Sequence, residues 1–185
     1  MPSNKSVQAG LGLLEKGPSK VLGLTIGNHN ITEPGQYVPR ADAGSPPQLT
    51  LLGASRSKSY VVIALDLDAP YPSFDKLGPI LHWVQPGLKL EAGASPGTTG
   101  STAPLEASEP FIANYIGPAP PPGSAPHRYV FFLYEQPEAF DGVKKFAPKN
   151  GQTLGAFSRM WANLEDWEKK LGLGEVVAVN YFKSN

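Results

Sequence analysis

Two long runs of β-branched and aromatic residues, at positions 60–67 and 128–135, dominate the sequence. Neither run alternates with polar residues in the way that a half-buried strand does. Strands that are buried on both faces have this pattern, and such strands lie in the middle of a sheet. The two runs therefore predict two central β-strands around which the rest of the chain is arranged.

Glycine and proline separate the shorter apolar runs from one another. The chain has 20 residues of each type, and they stand between short β-type segments instead of forming one low-complexity tract. Further short strands are predicted at 21–26, 32–38, 49–52, 80–85, 111–116 and 176–182. We expect Pro86 and Gly87 to end the strand at 80–85, and residues 93–108 to form a loop.

Helical patterns occur near the two ends of the chain. Residues 6–16 favour a short helix, weakened by two glycines. Apolar residues recur at three- and four-residue steps from Leu154 to Leu171, which predicts a longer amphipathic helix capped near Thr153 and ended by Gly172. We expect its aromatic residues to pack in the core. The fold class is therefore mainly β, with a short N-terminal and a longer C-terminal helix.

Composition limits the possible partners and compartments. Sixteen basic and sixteen acidic residues cancel, so no nucleic-acid partner is expected. The absence of cysteine excludes a disulfide scaffold and is compatible with a reducing compartment. No segment resembles a signal peptide or a membrane span. We expect one cytoplasmic domain over 1–185, with residues 1–19 as an N-terminal extension or helix and no integral membrane association.

Polar residues interrupt the apolar runs where they begin and end. Asp66 and Asp68 close the first long run, His127 opens the second, and His82 lies in the run at 80–85. We expect these residues to converge on one pocket, in which two imidazoles can hold a phosphate or carboxylate oxygen. Asp66 would orient a histidine or accept from a ligand amine. Alternatively, the two aspartates only cap the loop that follows their strand.

Neighbouring residues complete this candidate site. Arg128 needs a counter-ion at the start of a buried strand, and Asp68 would provide a bidentate one. Tyr129 points to the opposite face from Arg128 and would bring a hydroxyl to the pocket. A cis peptide bond is expected at Ala69–Pro70. His29 lies in a polar turn and is expected to be exposed.

Other kinds of site have weaker support. The two histidines and two aspartates suit Zn²⁺ or Fe²⁺ by residue type, but no closely spaced histidine pair is present, and no metal is predicted. No serine has a sequence setting that indicates a nucleophile. No phosphate-binding or dinucleotide-binding glycine motif is present either. We therefore predict no cofactor.

The polar segments resemble two motifs of the phosphatidylethanolamine-binding protein family, which includes Raf kinase inhibitor proteins, plant flowering regulators and fungal carboxypeptidase Y inhibitors. Asp66-Leu67-Asp68-Ala69-Pro70, followed by His82, is similar to the first motif. Pro126-His127-Arg128-Tyr129-Val130, continuing to Glu135-Gln136, is similar to the second. The resemblance extends over roughly 20–182, and residues 73–87 are closest in character to the fungal branch.

This resemblance implies a β-sandwich of two antiparallel sheets with a small cavity for an anion, such as the head group of phosphatidylethanolamine. By motif match the cavity is lined by Asp66, His82 and His127, with Pro70 and Tyr129 at its rim. The chain departs from the family pattern at Leu67, where proline is usual, and at 125–126, where a glycine is replaced. The second change removes a permissive glycine and one backbone donor near the anion site.

Two functions follow as hypotheses. The first is a binding and regulatory protein that holds a small anion or phospholipid head group and engages a protein partner, either a protease or a kinase. Its partner surface would be the N-terminal helix or the loop at 93–108. The second is a cofactor-free enzyme in which His82, His127 and Asp66 perform acid–base isomerisation, cyclisation or epimerisation of a small metabolite. We favour the first.

Overall fold

Eight antiparallel β-strands form one continuous sheet in the computed structural model, which describes residues 5–73, 78–93 and 102–185. The spatial order is β2-β1-β3-β6-β5-β4-β7-β8. The strands are β1 (Gly23–Ile26), β2 (His29–Ile31), β3 (Gln48–Leu52), β4 (Tyr60–Asp66), β5 (Ile80–Leu90), β6 (Thr102–Ala107), β7 (His127–Glu135) and β8 (Val176–Ser184). This architecture confirms the mainly β fold class.

Short helices connect and cover the strands. The α-helices are α1 (Lys5–Leu11), α2 (Gly142–Phe146) and α3 (Leu164–Leu171). Short 3-10 helices occupy Gly12–Lys16, Pro18–Lys20, Arg40–Asp42, Lys149–Gly151 and Ala156–Arg159. No helix within the described ranges is long and apolar enough to cross a membrane.

The two long apolar runs form neighbouring strands with hydrophobic cores on both of their faces. Every residue of β4 is buried, as are six consecutive residues of β7, which confirms the prediction of two central strands. One core includes Tyr129, Phe131 and Trp83, and we call that side of the sheet the Tyr129 face. The other includes Phe132, and α1 and α3 pack on it; we call it the Phe132 face.

Strand β5 joins the two halves of the sheet. Its first part pairs with β4, and residues 88–90 pair with β6, so the two expected sheets are continuous through this strand. The prediction that Pro86 and Gly87 end the strand was wrong, because they form a bulge within it, where proline is tolerated and Gly87 adopts a left-handed φ of 66°. Parallel bridges from Val21 and Tyr37 to β8 bring the far edges together.

The predicted long C-terminal helix was wrong over its first half. Instead of a helix from residue 154, a 3-10 helix at Ala156–Arg159 precedes α3, which Asn163 caps by accepting from the Asp166 backbone amide. Phe157 is 84% exposed and Trp161 is 61% exposed with a φ of 54°, so these aromatic residues are not core residues as we expected. The helix ends as predicted, with Gly172 in the left-handed conformation.

Three shorter segments also differ from the predictions. The described part of the predicted loop at 93–108 is mostly strand β6, whereas its residues 94–101 lie outside the described residues. The second strand occupies His29–Ile31 instead of 32–38. Within 111–116, a single bridge from Ala113 to Val84 replaces the expected strand.

Candidate functional site

Three strands bring the predicted polar residues to one end of the Tyr129 face. Asp66 is the last residue of β4 and lies opposite Tyr129 in β7. His127 is the first residue of β7, and in antiparallel neighbours the end of one strand adjoins the start of the next. The His82 ring meets the Tyr129 ring edge-on, with 5.0 Å between centroids, and His127 stacks on the same ring at 6.4 Å. We call these four residues the polar cluster.

A β-bulge directs His82 into the polar cluster. In the β4–β5 ladder Leu81 lies opposite Leu65 and Trp83 lies opposite Ala64, which leaves His82 as an extra residue without a partner across the ladder. An extra residue re-aims its side chain. Neighbouring residues of a regular strand point to opposite faces of the sheet. Because of the bulge, His82 and Trp83 instead both contact aromatic residues on the Tyr129 face.

Asp66, His127 and Ser124 form a continuous chain of hydrogen bonds. His127 Nδ1 lies 2.8 Å from Asp66 Oδ2, and its Nε2 lies 2.8 Å from Ser124 Oγ. Asp66 also accepts from the Asp68 backbone amide at 2.9 Å. His127 is 1% exposed, Asp66 4% and Ser124 7%. Both nitrogens of His127 are therefore engaged by neighbouring side chains.

His82 is held by the backbone of Ile116. Its Nδ1 donates to the Ile116 carbonyl oxygen at 2.8 Å, and the Ile116 amide donates back to the His82 carbonyl at 3.0 Å. Burial lowers the pKa of His82, and the positive charge of Arg159 lowers it further, although Asp66 opposes this. The neutral ring therefore carries its proton on Nδ1, which leaves the Nε2 lone pair as an acceptor.

Two buried hydroxyl groups in this region have no hydrogen-bond partner of good geometry in the described part of the chain. They belong to Tyr129 and to Ser184, which lies opposite His127 across the β7–β8 ladder. Burial raises the pKa of Tyr129, and the charge of Asp66 and a contact with its carboxylate raise it further, so the hydroxyl stays protonated. It lies beside Asp66 and the backbone of Ala119 without a well-aligned hydrogen bond to either. Buried polar groups are nearly always paired, so a buried hydroxyl without a well-aligned partner is a candidate contact for a ligand. Both hydroxyls can donate to a bound oxygen atom.

Asp68 and Arg128 connect the loop after β4 to the start of β7. Arg128 Nε and Nη2 donate to the two carboxylate oxygens of Asp68 at 2.9 and 2.7 Å, and the Arg128 amide donates to the same carboxylate at 2.8 Å. The structure thus contains the bidentate pair that the sequence predicted. The Ala69–Pro70 bond is cis, and Pro70 is partly exposed beside the aspartates.

Arg159 is a charged residue near the site that sequence reasoning missed. It is 2% exposed and donates to the carbonyl oxygens of Leu154 and Leu81, both at 3.1 Å, and to Asn114 Oδ1 at 2.6 Å. Among the described residues it forms no ion pair with a carboxylate. Because Leu81 precedes His82, this uncompensated charge raises the electrostatic potential beside the polar cluster.

A cavity of about 470 Å³ lies on the Tyr129 face but does not include the histidines. It is lined by Trp83 and Tyr115, the chain neighbours of His82 and Ile116, and otherwise by the segment 44–47 and by residues of β3, β5, β6 and the segment 111–114. Both histidines and Tyr129 belong to the polar cluster, and Ser184 lies beside His127. We therefore assign the candidate site to that cluster and not to the cavity.

The structure also locates the residues considered for other roles. His29, the first residue of β2, is partly exposed, and its Nε2 lies 2.8 Å from Asp42 Oδ2. Within the described ranges, no three histidine or acidic side chains are placed to hold a metal ion. Ser124 Oγ lies 2.8 Å from His127 Nε2, a contact that its sequence setting did not indicate.

Sequence reasoning missed three site residues for different reasons. Ser124 lies three positions before His127, so its proximity was visible although its contact was not. Strand pairing brings Ser184 to His127. Arg159 reaches the Leu81 carbonyl oxygen from a 3-10 helix, in a segment that was predicted to be part of a longer α-helix. Neither residue carries a local signal for the site.

Three comparisons relate this fold and site to known proteins. The family model described as phosphatidylethanolamine-binding protein matches residues 28–182. Phomoidride biosynthesis cluster protein N of Talaromyces stipitatus is 33% identical over 172 residues, which is 87% of this chain and 82% of that protein. The carboxypeptidase Y inhibitor of Saccharomyces cerevisiae is 34% identical over 144 residues, which is 75% of this chain and 64% of that protein.

Similarity to a solved structure supports the same assignment. The carboxypeptidase Y inhibitor in complex with its cognate proteinase superposes with a TM-score of 0.70 at 26% identity, covering 99% of this chain and 94% of that one. The matched family model also includes both polar motifs. The chain belongs to the phosphatidylethanolamine-binding protein family.

Proposed function

We propose that this chain is a ligand-binding and regulatory protein that holds a small anion, or the phosphoryl group of a phospholipid head group, in the polar cluster. The observation that carries the proposal is the pair of buried hydroxyls of Tyr129 and Ser184, neither of which forms a well-aligned hydrogen bond among the described residues. An anion supplies acceptors for both hydroxyls. The buried charge of Arg159 favours a negative ligand in the same region.

Anion binding at this site requires a proton on His82. In the neutral ring Nε2 presents a lone pair, which repels an anionic oxygen. Once protonated, the ring donates from Nε2 while Nδ1 keeps its bond to Ile116. Because burial lowers the pKa of His82, binding is coupled to proton uptake, and the affinity is expected to increase as the pH falls below about 6.5.

Calorimetric titration tests this proposal, with inorganic phosphate and O-phosphoethanolamine as the probes. We expect saturable binding that weakens at least about tenfold, or 1.4 kcal/mol, in His82→Ala. The matched control is His29→Ala, which removes a histidine outside the polar cluster and is expected to bind normally. Absence of binding at millimolar concentration, or equal binding by His82→Ala, would overturn the proposal.

We further propose that the regulated partner is a carboxypeptidase. Support comes from the two comparisons in which the relative is named as a carboxypeptidase Y inhibitor. A candidate surface is α1, whose first backbone amides are held by Glu165 and whose Ser6 hydroxyl donates to Glu168 at 2.6 Å. Deleting residues 1–16 is expected to abolish inhibition of carboxypeptidase Y, whereas His82→Ala is expected to retain it. Unchanged inhibition by the deletion variant contradicts the assignment to α1.

A second candidate function is acid–base catalysis, which the fixed tautomer of His82 favours. Nδ1 is committed to Ile116, so Nε2 is a preformed base in a buried site. A relative that belongs by name to a biosynthesis cluster is consistent with this function. Proton NMR of small keto acids in D₂O would reveal enzyme-dependent deuterium uptake. Uptake that is lost in His82→Ala, and also in His127→Ala and Asp66→Asn, with the fold intact, would favour the enzyme. Phosphate binding without any uptake would favour the binding protein.

A further inference from the structure

The hydrogen-bond chain that ends at Ser124 has the connectivity of a serine nucleophile with its base. Asp66 contacts Nδ1 of His127, and Ser124 contacts the opposite ring nitrogen, with both distances 2.8 Å. Such relays are recognised by geometry and by the role of each member, and not by their order in sequence. Ser124 has no glycine-flanked elbow motif, which explains why the sequence did not indicate it.

The proton positions in this chain follow from the partners of each atom. Asp66, when ionised, can only accept, so His127 Nδ1 must donate to it. In the neutral imidazole Nε2 is then an acceptor, and the Ser124 hydroxyl must supply the proton for the contact. That hydroxyl has one alternative acceptor, the Ala125 carbonyl oxygen at 3.0 Å. The shorter contact with Nε2 prepares the hydroxyl for deprotonation.

We propose that Ser124 is a nucleophile for small activated acyl esters, with His127 as its base and Asp66 as a positioning residue. The hydroxyl proton moves to His127 Nε2 while Ser124 Oγ forms a bond to the acyl carbon. His127 then returns the proton to the leaving alcohol as the ester bond breaks. Water repeats the sequence on the acyl-serine, which releases a carboxylic acid and restores the hydroxyl.

The negative charge that develops on the acyl oxygen can be stabilised by hydroxyl groups near His127. The hydroxyls of Tyr129 and Ser184 form no well-aligned hydrogen bond among the described residues, and both lie beside His127. Hydroxyl donors serve this role where tetrahedral oxyanions are stabilised. A nucleophilic Ser124 gives the hydroxyls of Tyr129 and Ser184 a role that needs no phosphate ligand, which is a function beyond the proposed anion binding.

Ser124 lies beneath a surface turn, which supplies a path to it. Residues 122–123 and 125–126 on either side are exposed, although Ser124 itself is buried. Gly123 has a left-handed φ of 80°.

Covalent labelling with a fluorophosphonate tests the inference, because this reagent forms a bond with activated serines. Peptide mass spectrometry of the full-length protein is expected to find the adduct on Ser124. Ser124→Ala should lose the adduct, and His127→Gln should label about a hundredfold more slowly. The matched control is Ser57→Ala, since Ser57 is an exposed serine whose hydroxyl contacts that of Ser55 at 2.9 Å. It should label at the wild-type rate.

The role of Asp66 has its own readout. In the histidine-ring nitrogen spectrum, Asp66→Asn is expected to move the neutral His127 proton away from Nδ1, in addition to slowing the labelling. Absence of an adduct on Ser124 in the wild-type protein, or equal labelling of Ser57, would overturn the inference. Phosphate binding is measured independently by calorimetry, so failure of the nucleophile and failure of the anion site are distinguishable.

Discussion

Replacing Asp68 by asparagine tests the connection between the two motif segments. The substitution keeps the size of the side chain and its acceptor for the Arg128 amide, but it removes the charge that receives two guanidinium hydrogen bonds. Hydrogen bonds to charged groups contribute about 1.5–3 kcal/mol each when buried. The Arg128 side chain is 36% exposed, so water replaces part of the lost hydrogen bonding. We expect Asp68→Asn to lower the free energy of unfolding by about 2 kcal/mol.

The pH dependence of unfolding gives a second signature of the same pair. Burial alone would raise the pKa of Asp68, but hydrogen bonds from Arg128 and its positive charge outweigh burial and lower it. The stabilisation is therefore complete above the unfolded pKa of about 3.9, and it is lost as the pH falls through the lower folded pKa. Asp68→Asn lacks this titration, so its free energy of unfolding should decrease less steeply in acid.

Urea unfolding monitored by circular dichroism, at neutral pH and through the acid range, measures both effects. Two kcal/mol corresponds to a decrease of about 4–8 °C in Tm for a chain of this size. Glu135→Gln is the control, because it removes the exposed ion pair with Lys58 and should leave stability unchanged. If Asp68→Asn matches the wild-type protein in both stability and acid slope, the pair does not connect the segments as we describe.

Three further predictions concern packing and titration. Phe132 is fully buried and Phe157 is 84% exposed. Phe132→Ala should therefore lower the free energy of unfolding by about 3–5 kcal/mol, whereas Phe157→Ala should change it by less than about 0.5 kcal/mol. Similar losses in both variants would contradict the exposed position of Phe157. Gly117→Ala places a Cβ 2.8 Å from a backbone oxygen and should lower the free energy of unfolding by about 1–3 kcal/mol. At Gly155 a Cβ meets open space, so Gly155→Ala should be neutral or slightly stabilising. Thermal unfolding of the two variants measures the difference. Because burial lowers the pKa of His82, stability should decrease as the pH falls below about 6.5, and His82→Gln should reduce that slope in urea unfolding.

The central sheet was predictable because its signals are local and its geometry is general. Continuous apolar runs identify β4 and β7 without reference to the rest of the chain. Once these strands are antiparallel neighbours, the end of one adjoins the start of the other, which places Asp66 beside His127 across 61 residues. The pairing of Asp68 with Arg128 follows from the same register.

Other parts of the site depend on features that have no local signal. His82 joins the polar cluster through a bulge, which depends on the pairing of β5 with β4 and not on the residues of β5 alone. Arg159 is almost fully buried, although arginine is usually exposed. The C-terminal helix shows a different failure, since the helical spacing of Phe157 and Trp161 coincides with a positive φ at Trp161. The capping pair Asn163 and Asp166 was the better signal for its start.

Nitrogen NMR of the histidine rings during titration with inorganic phosphate tests most directly whether the polar cluster is the functional site. The chain has three histidines, and His29 serves as an internal reference because it pairs with Asp42 outside the cluster. We predict that His82 changes from a neutral ring with its proton on Nδ1 to a protonated ring, and that His127 responds at the same phosphate concentration while His29 does not. Unchanged resonances of His82 and His127 at saturating millimolar phosphate would contradict the assignment.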